Sequence, residues 1–423
     1  MHVLRLTPHF YWPQLKDAGW PIRFDTIGGM QTQIYRMSEA LGEQGVDQTI
    51  LTLKVPGAEP NWSLADRVTV HGVRIPILPL RSRYRGMVDL NISWALGCLW
   101  HVAARRAKRV DVVHVHASGV IEPLLTGPVI ARMLGAPLVV SMHCAMLSTY
   151  EPMHRLDRLI HPLALKLERG ILGRADHVVF LTSKTRDDYL DAGWLAPSNS
   201  SIVPDSIDVQ AFARNDTPTR RQAFIARFPQ LAGKRVVAYV GRIAHEKGWP
   251  RLLELFERVD DPDVCLMICG DGNERVDLDR MILQKRLQGR VVVTGYLAQE
   301  EVAAAMGMAE VLLLVSNHEE FGGVMIEAMA VGTPSLAFSV GGIPAVQRDG
   351  ETGLLVAPYD IDEMAAQLKR LLKQGELRAR LSSAGRAYVA AQFDLADASR
   401  KIRDIYTALV SRNRGVPCAK LAD

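Results

Sequence analysis

The sequence predicts an α/β protein of two domains, each a parallel sheet with helices on both faces. Three observations carry this. The chain has 423 residues, well past the roughly 250–300 at which a single hydrophobic core stops growing, so two domains are expected. Short β-branched runs alternate with segments of helical period throughout, and repeated strand–helix–strand units build parallel sheets. Residues 204–218 are rich in Asp, Ser, Asn, Thr and Pro. They separate a first complete series of such units from a second, which sets the boundary near residue 205.

Taken in order, residues 2–6 form a short strand that Pro8 stops. From Gly28 to Gly45 the apolar residues Met30, Ile34, Met37 and Leu41 recur at helical spacing, with Gly45 as the terminator. A strand over Val46–Leu53 follows. The apolar run Trp94–Ala104 is broken by His101 and falls short of the ~20 residues of a membrane span. Strands at Val110–Val115, Leu138–Ser141 and His177–Leu181 complete the first domain, residues 1–205. The second domain, residues 206–395, draws its strands from Arg235–Val240, Val264–Ile268, Arg290–Val293 and Val311–Val315. A last helix over Ala396–Val410, inside the terminal segment 396–423, is expected to cross back to the first domain.

With 48% hydrophobic and 23% charged residues, the chain has apolar material for two cores and none of the bias of disordered or low-complexity sequence. A formal charge of +4 without an accompanying motif points away from nucleic acid. The excess lies in residues 1–205, where 22 basic residues face 18 acidic ones, and much of it falls between Arg74 and Arg109. Because Trp94 and Trp100 lie in this stretch, it reads as a helix with a solvated basic side, with peripheral membrane contact as the second choice. Five cysteines, Cys98, Cys144, Cys265, Cys269 and Cys418, are far apart or, for Cys265 and Cys269, set within one apolar strand. Together with the lack of an apolar leader they predict a reducing, cytoplasmic setting. Asp277-Leu278-Asp279 falls in a polar helical stretch and not at a strand end, so no metal is expected there.

Parallel sheets bind ligands beyond the carboxyl ends of their strands, so the loops after strands carry the functional weight. The first of these leads through Asp25 to Gly28-Gly29 and into a helix. Paired glycines there let backbone N–H groups approach a phosphate, or make a tight turn. The absence of G-x-G-x-x-G argues against a dinucleotide-binding oxidoreductase. After Arg235–Val240 comes Gly241-Arg242, with Lys247-Gly248 following five residues on. An Arg fork and a Lys point charge ahead of a helix suit a diphosphate, the alternative being a solvated basic loop. Cys269-Gly270-Asp271-Gly272 reads as a tight turn over which a ligand can lie. The strongest local signal is His318-Glu319-Glu320-Phe321-Gly322-Gly323, running on to Glu327. Glu319 on the strand-end loop and Glu327 one to two turns into the next helix are placed to accept hydrogen bonds from the vicinal hydroxyls of a sugar or ribose. For either Glu alone, a surface acid complementing a helix start is the alternative.

In this order the motifs resemble those of the retaining glycosyltransferases of family 4, which have the GT-B architecture of two facing Rossmann-like domains. The resemblance covers nearly the whole chain: Gly28-Gly29, Asp111 to His116, His143, the Arg242–Lys247 loop, Gly270-Asp271-Gly272, the Glu319 and Glu327 pair, and Gly341-Gly342-Ile343-Pro344. It implies an N-terminal acceptor domain and a C-terminal nucleotide-sugar domain, with a nucleotide sugar and a small-molecule acceptor as partners and no cofactor beyond that co-substrate. Arg242 and Lys247 would hold the donor diphosphate, Glu327 the ribose hydroxyls and Glu319 the donor sugar. His143 would lie near the sugar, Gly29 would offer its N–H to the phosphate, and Tyr296-Leu297 would line the base. Gly28, Gly241, Gly270, Phe321, Gly322 and Gly323 complete the implied donor set. The family offers no carboxylate beneath the anomeric carbon for a double displacement. The implied route is front-face attack, with the two cations absorbing the charge of the leaving diphosphate in place of a metal.

A narrower resemblance rests on Leu4 to Pro8, Phe24-Asp25, Gly28 to Gln31, His143-Cys144, Tyr150 to Met153, Asp157-Arg158, Ala244 to Trp249 and His318 to Glu320. These look like the 2-deoxystreptamine N-acetylglucosaminyltransferases of aminoglycoside antibiotic biosynthesis, with a UDP-sugar carrying N-acetylglucosamine or glucose as donor. Phe321 stands where that subgroup is expected to have Leu, and Ala345 where the wider family often has Glu. The competing readings are a family 4 enzyme of lipid-linked polysaccharide or glycolipid assembly, and a nucleotide-sugar-binding protein without catalysis.

Overall fold

The computed structural model describes residues 1–13, 28–55, 57–74, 91–104, 109–119, 121–147 and 155–415. The chain divides into two units. The first contains, in order, β1 (His2–Leu6), α1 (Gly29–Glu43), β2 (Asp47–Leu53), β3 (Asn61–Ala65), β4 (Val68–Val73), α2 (Asn91–Ala104) and β5 (Val112–Ser118). It continues with α3 (Ile121–Leu134), β6 (Leu138–Cys144), α4 (Arg155–Leu172), β7 (His177–Phe180), α5 (Ser183–Asp191) and β8 (Ser200–Ile202). The body of the second unit is Asp205–Leu395. It opens with α6 (Val209–Ala213), α7 (Pro218–Arg227), β9 (Arg235–Val240), α8 (Trp249–Glu257), β10 (Val264–Cys269), α9 (Arg275–Gln284) and β11 (Val291–Gly295). Next come α10 (Gln299–Met308), β12 (Ala309–Leu314), α11 (Gly323–Val331), β13 (Ser335–Phe338), α12 (Ile343–Val346), β14 (Gly353–Val356), α13 (Ile361–Lys373) and α14 (Gly375–Gln392). The final helix, α15 (Leu395–Asn413), belongs from Ala396 onward to the first unit.

The first sheet runs β3-β4-β2-β1-β5-β6-β7-β8 and the second β11-β10-β9-β12-β13-β14. Every pair is parallel except β3 with β4. In each sheet the chain starts in the middle, builds outward to one side, then returns to build on the other. This is the doubly wound order, and its reversal falls between β1 and β5 in the first sheet and between β9 and β12 in the second. The α/β class expected from the sequence therefore describes both units. The antiparallel edge strand β3 was not expected: none of its residues is fully buried, and it lacks the apolar run that marks a buried strand.

Helix α1 covers one face of the first sheet, where Ile34 packs with Phe10, Ile50, Val68 and Val70. Helices α2, α3 and α4 line the other, sending Trp94 and Cys98, Leu124 and Ile130, and Ala164 and Leu172 into a core with Leu6, Val113, Val115 and Val140. The outer side of α2 corrects an expectation. It presents Ile92, Leu96 and Trp100, apolar where a basic side was read. The Arg and Lys residues between 75 and 90 and between 105 and 108 lie outside the described residues, as do Phe24-Asp25, Tyr150 to Met153 and Cys418. Among the described residues no helix is long and apolar enough to cross a membrane. Cys265 and Cys269 are buried in β10, as read from the sequence.

Helix α15 is fastened to the first unit along its length. Ser399 Oγ accepts from Gln44 Nε2 at 2.6 Å, Tyr406 Oη meets His114 Nδ1 at 2.5 Å, Asn413 Nδ2 donates to the Gly135 carbonyl at 3.3 Å, and Arg414 pairs with Asp111 at 2.5 Å.

Candidate active site

In the second unit, the loops that leave β9 and β12 on either side of the sheet reversal are stitched together. Asn317 donates its N–H to the Glu246 carbonyl at 2.9 Å and its side-chain amide to the His245 carbonyl at 3.1 Å. Gly248 takes φ +69°, and a Cβ there would stand 2.0 Å from the Val315 carbonyl oxygen, so only glycine lets the loops close to this distance. This packing brings Lys247 to Glu319, Nζ to Oε1 at 2.7 Å. Ser316 Oγ donates to the same oxygen at 2.8 Å. Burial pushes the Glu319 carboxyl up, but Lys247, Ser316 and the Arg242 charge outweigh it and hold the group below its ordinary value. Arg242 pairs with Glu246 at 2.9 Å, and Tyr239 Oη donates to the Arg242 carbonyl at 2.9 Å. The result is two cations, each paired with a carboxylate, at the carboxyl end of the sheet, where doubly wound folds bind ligands.

A second cluster occupies the equivalent reversal in the first unit. Arg5 of β1 donates from Nε to His116 Nε2 at 3.2 Å, and His116 Nδ1 lies 3.0 Å from His143 Nε2 at the end of β6. His114 Nε2 lies 2.8 Å from Ser141 Oγ. Burial first, and the Arg5 charge second, push His143 down to about 3. Its ring is therefore uncharged at neutral pH.

Two family models match this chain, one described as "Glycosyltransferase Family 4" over residues 27–211 and one as "Glycosyl transferases group 1" over residues 221–388. A 2-deoxystreptamine N-acetyl-D-glucosaminyltransferase of Streptomyces fradiae is 38% identical over 367 residues, 85% of this chain and 86% of the relative. The chain belongs to glycosyltransferase family 4. A 2-deoxystreptamine glucosyltransferase of Streptomyces kanamyceticus is 36% identical over 91% of this chain and 100% of its own length. A second 2-deoxystreptamine N-acetyl-D-glucosaminyltransferase, from Niallia circulans, is 34% identical over 87% of this chain and 94% of its own length. Among solved structures, sucrose-phosphate synthase from Thermosynechococcus elongatus has a TM-score of 0.80 at 21% identity over 97% of this chain and 99% of its own. Anabaena HepE, in complex with UDP and glucose, has a TM-score of 0.71 at 17% identity over 96% of this chain and 100% of its own. At these identities the likeness shows the GT-B fold.

The protein is thus a glycosyltransferase, a hexosyltransferase, and the sequence-derived positions can be placed on it. Gly29 opens α1, and Glu327 sits in the second turn of α11. Gly322 takes φ +85° and begins α11 without a side-chain cap. Gly241 and Gly270 lie against each other: a Cβ on Gly270 would stand 1.9 Å from the Gly241 carbonyl oxygen. Close packing of the two loops accounts for a glycine at position 270. Tyr296 is exposed and Leu297 is buried. Phe321 is buried with its ring edge-on to Phe393 at 5.7 Å, so its side chain serves the interior of the glycosyltransferase. Asp277 and Asp279 are taken up in surface ion pairs with Arg280 and Arg275 along α9. Sequence reasoning gave no role to Ser316, Tyr239 or Arg5. Ser316 directly follows the β12 apolar run at a position where a polar residue ends the strand, and that is the signal that could have found it.

Proposed function

We propose that this glycosyltransferase moves N-acetylglucosamine or glucose from a UDP-sugar to a hydroxyl of 2-deoxystreptamine, with retention of anomeric configuration. The observation that carries the reading is the Lys247–Glu319–Arg242 constellation at the reversal of the second sheet. Arg242 and Lys247 serve the diphosphate, and the N–H groups that open α11 at Gly322 and Gly323 add a partial positive charge. Glu319 and Glu327 accept from donor hydroxyls, Glu327 from the ribose. Gly28, Gly29, Gly241, Gly270, Tyr296 and Leu297 complete the donor contacts by backbone or by lining the base, and His143 contacts the transferred sugar.

In the reaction, the acceptor oxygen bonds to the anomeric carbon while the bond from that carbon to the diphosphate breaks. The departing phosphate oxygen takes the acceptor's proton, and the two cations offset the charge that develops on it, so they act chiefly in the transition state. The acceptor is supported by the three relatives named above, whose activities all concern 2-deoxystreptamine. The uridine diphosphate is supported by HepE, solved with UDP.

Mass-spectrometric detection of products from 2-deoxystreptamine and a panel of UDP- and GDP-sugars tests this. The expected outcome is a single new species, 2-deoxystreptamine plus one hexose or N-acetylhexosamine, formed from a UDP-sugar only. Turnover of the donor without that species would remove 2-deoxystreptamine as acceptor. One observation favours a lipid-linked acceptor instead: the outward faces of α2 and α3 carry Ile92, Leu96 and Trp100 and Leu125, Val129 and Met133. Sedimentation with anionic vesicles decides between them, since an apolar face of that kind would take the protein down with the lipid.

A further inference from the structure

Between β1, β5 and β6 of the first unit lies a chain of buried polar groups, of which the proposed reaction uses only the last. Arg5 is 1% exposed, and among the described residues no carboxylate pairs with it. One terminal nitrogen donates to Ser38 Oγ at 2.6 Å and to Gln48 Oε1 at 3.3 Å, and Nε donates to His116 Nε2 at 3.2 Å. A guanidinium can only donate. His116 Nε2 must therefore accept, and a neutral His116 carries its proton on Nδ1. That N–H points to His143 Nε2, 3.0 Å away, which leaves the proton of His143 on its own Nδ1. The His143 Nδ1 atom is buried and, among the described residues, has no hydrogen-bond partner. Native proteins leave few buried donors unmet, and each one calls for an explanation.

We propose that Arg5 and His116 are positioning residues that fix His143 in the Nδ1–H form, so that it presents a neutral, directed N–H to an oxygen of the bound substrate. That the oxygen is a hydroxyl of the transferred sugar rests on the function proposed above; the relay itself does not. The groups that face His143 agree with a neutral ring. They are Arg5 from β1, His116 and, behind it, His114 from β5, and, through His114, the Tyr406 hydroxyl from α15. Burial and the Arg5 charge both disfavour a proton on His116 and His143. A serine or asparagine could donate in the same place, but only a histidine with its far nitrogen occupied by a second histidine has its donor direction set by a permanent cation two residues away in the chain of contacts.

The tautomer can be read in the free protein, without substrate and without a variant. In protein labelled with 15N- and 13C-histidine, long-range 15N–1H correlation spectra at neutral pH are expected to show the proton on Nδ1 of both His116 and His143. A proton on Nε2 of His143 overturns the relay, whatever the enzyme's donor is. In Arg5→Met, His143 is expected to populate both tautomers, with kcat about tenfold lower and donor KM changed less than about threefold, as expected for loss of one oriented hydrogen bond. The acid limb of its kcat profile is expected to begin at higher pH than in the wild type, because the charge that opposes protonation is gone. Arg5→Met with the wild-type tautomer and an unchanged pH profile would refute the role given to Arg5. His143→Ala with full turnover would refute the delivery of that N–H to substrate. Failure to glycosylate 2-deoxystreptamine would leave the tautomers as they are, so the two readings fail separately.

Discussion

Lys247 and Glu319 hold each other in place, and the consequences of breaking that pair can be worked out in sign. In the native protein burial favours the neutral carboxyl, and Lys247, Ser316 and Arg242 together reverse that preference. With its value in the folded state depressed, ionised Glu319 adds stability above its unfolded value, and this is lost as pH falls through the folded value. In Lys247→Met the main opposing charge is absent and burial wins. With its folded value then raised above the unfolded one the sign reverses: the variant is expected to be less stable than the wild type near neutral pH and to close that gap as pH falls, which urea midpoints measured across the acid range would show. The same variant, and Arg242→Ala, are expected to lose at least about tenfold in kcat/KM, since a charge-assisted hydrogen bond contributes roughly 1.5 to 3 kcal/mol. Near-wild-type turnover in both would remove them from the diphosphate. Ser316→Ala tests the residue that sequence reading passed over. It leaves the Lys247 pair intact but frees one lone pair of Glu319, and a fall in kcat of roughly three- to tenfold is expected from loss of one hydrogen bond to a charged group. An unchanged kcat would mean that Lys247 alone fixes the carboxylate.

Helix α11 gives a test with opposite signs on stability and on binding. It begins at Gly322 without a side-chain cap and without an acid in its first turn, and among the described residues a Cβ on Gly323 would meet nothing within 4 Å. Gly323→Asp therefore fits sterically and complements the helix dipole, for a gain of about 0.3 to 1 kcal/mol. If the donor phosphates use this terminus, the added carboxylate repels them. A higher Tm together with a several-fold weaker affinity for UDP in calorimetry is the expected outcome; a higher Tm with unaltered affinity would move the phosphates elsewhere. Helices and strands of this kind were legible in the sequence because burial on both faces leaves continuous apolar runs, as in β9, β10 and β12. Two glycines of the strand-end loops have a structural reason that the sequence does not show. Gly270 and Gly248 are required by a neighbouring carbonyl, a long-range contact that no local pattern encodes. The outward face of α2 was misread for a related cause: composition showed a basic stretch, while the charges fall in the flanking segments and the helix itself carries none.

At the scale of the whole molecule, the first unit is not complete until the chain has made the second, because it takes its last helix from residues beyond Leu395. Within the second unit the two ends of that excursion are joined: Ile207 and Asp394 form a parallel bridge, and Leu395 donates to the Ile207 carbonyl at 3.0 Å. What α15 supplies to the first unit is specific. Tyr406 is wholly buried and bonds to His114, whose ring stacks 4.4 Å from that of His116. The helix end is held by Arg414 on Asp111, a carboxyl that burial would raise but that the His2 N–H and Arg414 hold below its ordinary value. Tyr406→Phe removes one buried hydrogen bond and leaves the His114 nitrogen unmet, a cost of about 1 to 3 kcal/mol, which a denaturant titration would resolve. Ending the chain after Asp394 goes further. It strips a fully buried aromatic and its helix from a unit whose whole stability is on the order of 5 to 15 kcal/mol, so the first unit is expected to unfold or aggregate and transfer to cease. UDP binding is expected to survive in whatever truncated protein remains soluble, because Arg242, Lys247, Glu319 and Glu327 all lie in Asp205–Leu395. If that truncated protein instead keeps full transferase activity and the wild-type Tm, then α15 is an appendage, and the contacts of Tyr406 and Arg414 do not hold the first unit together.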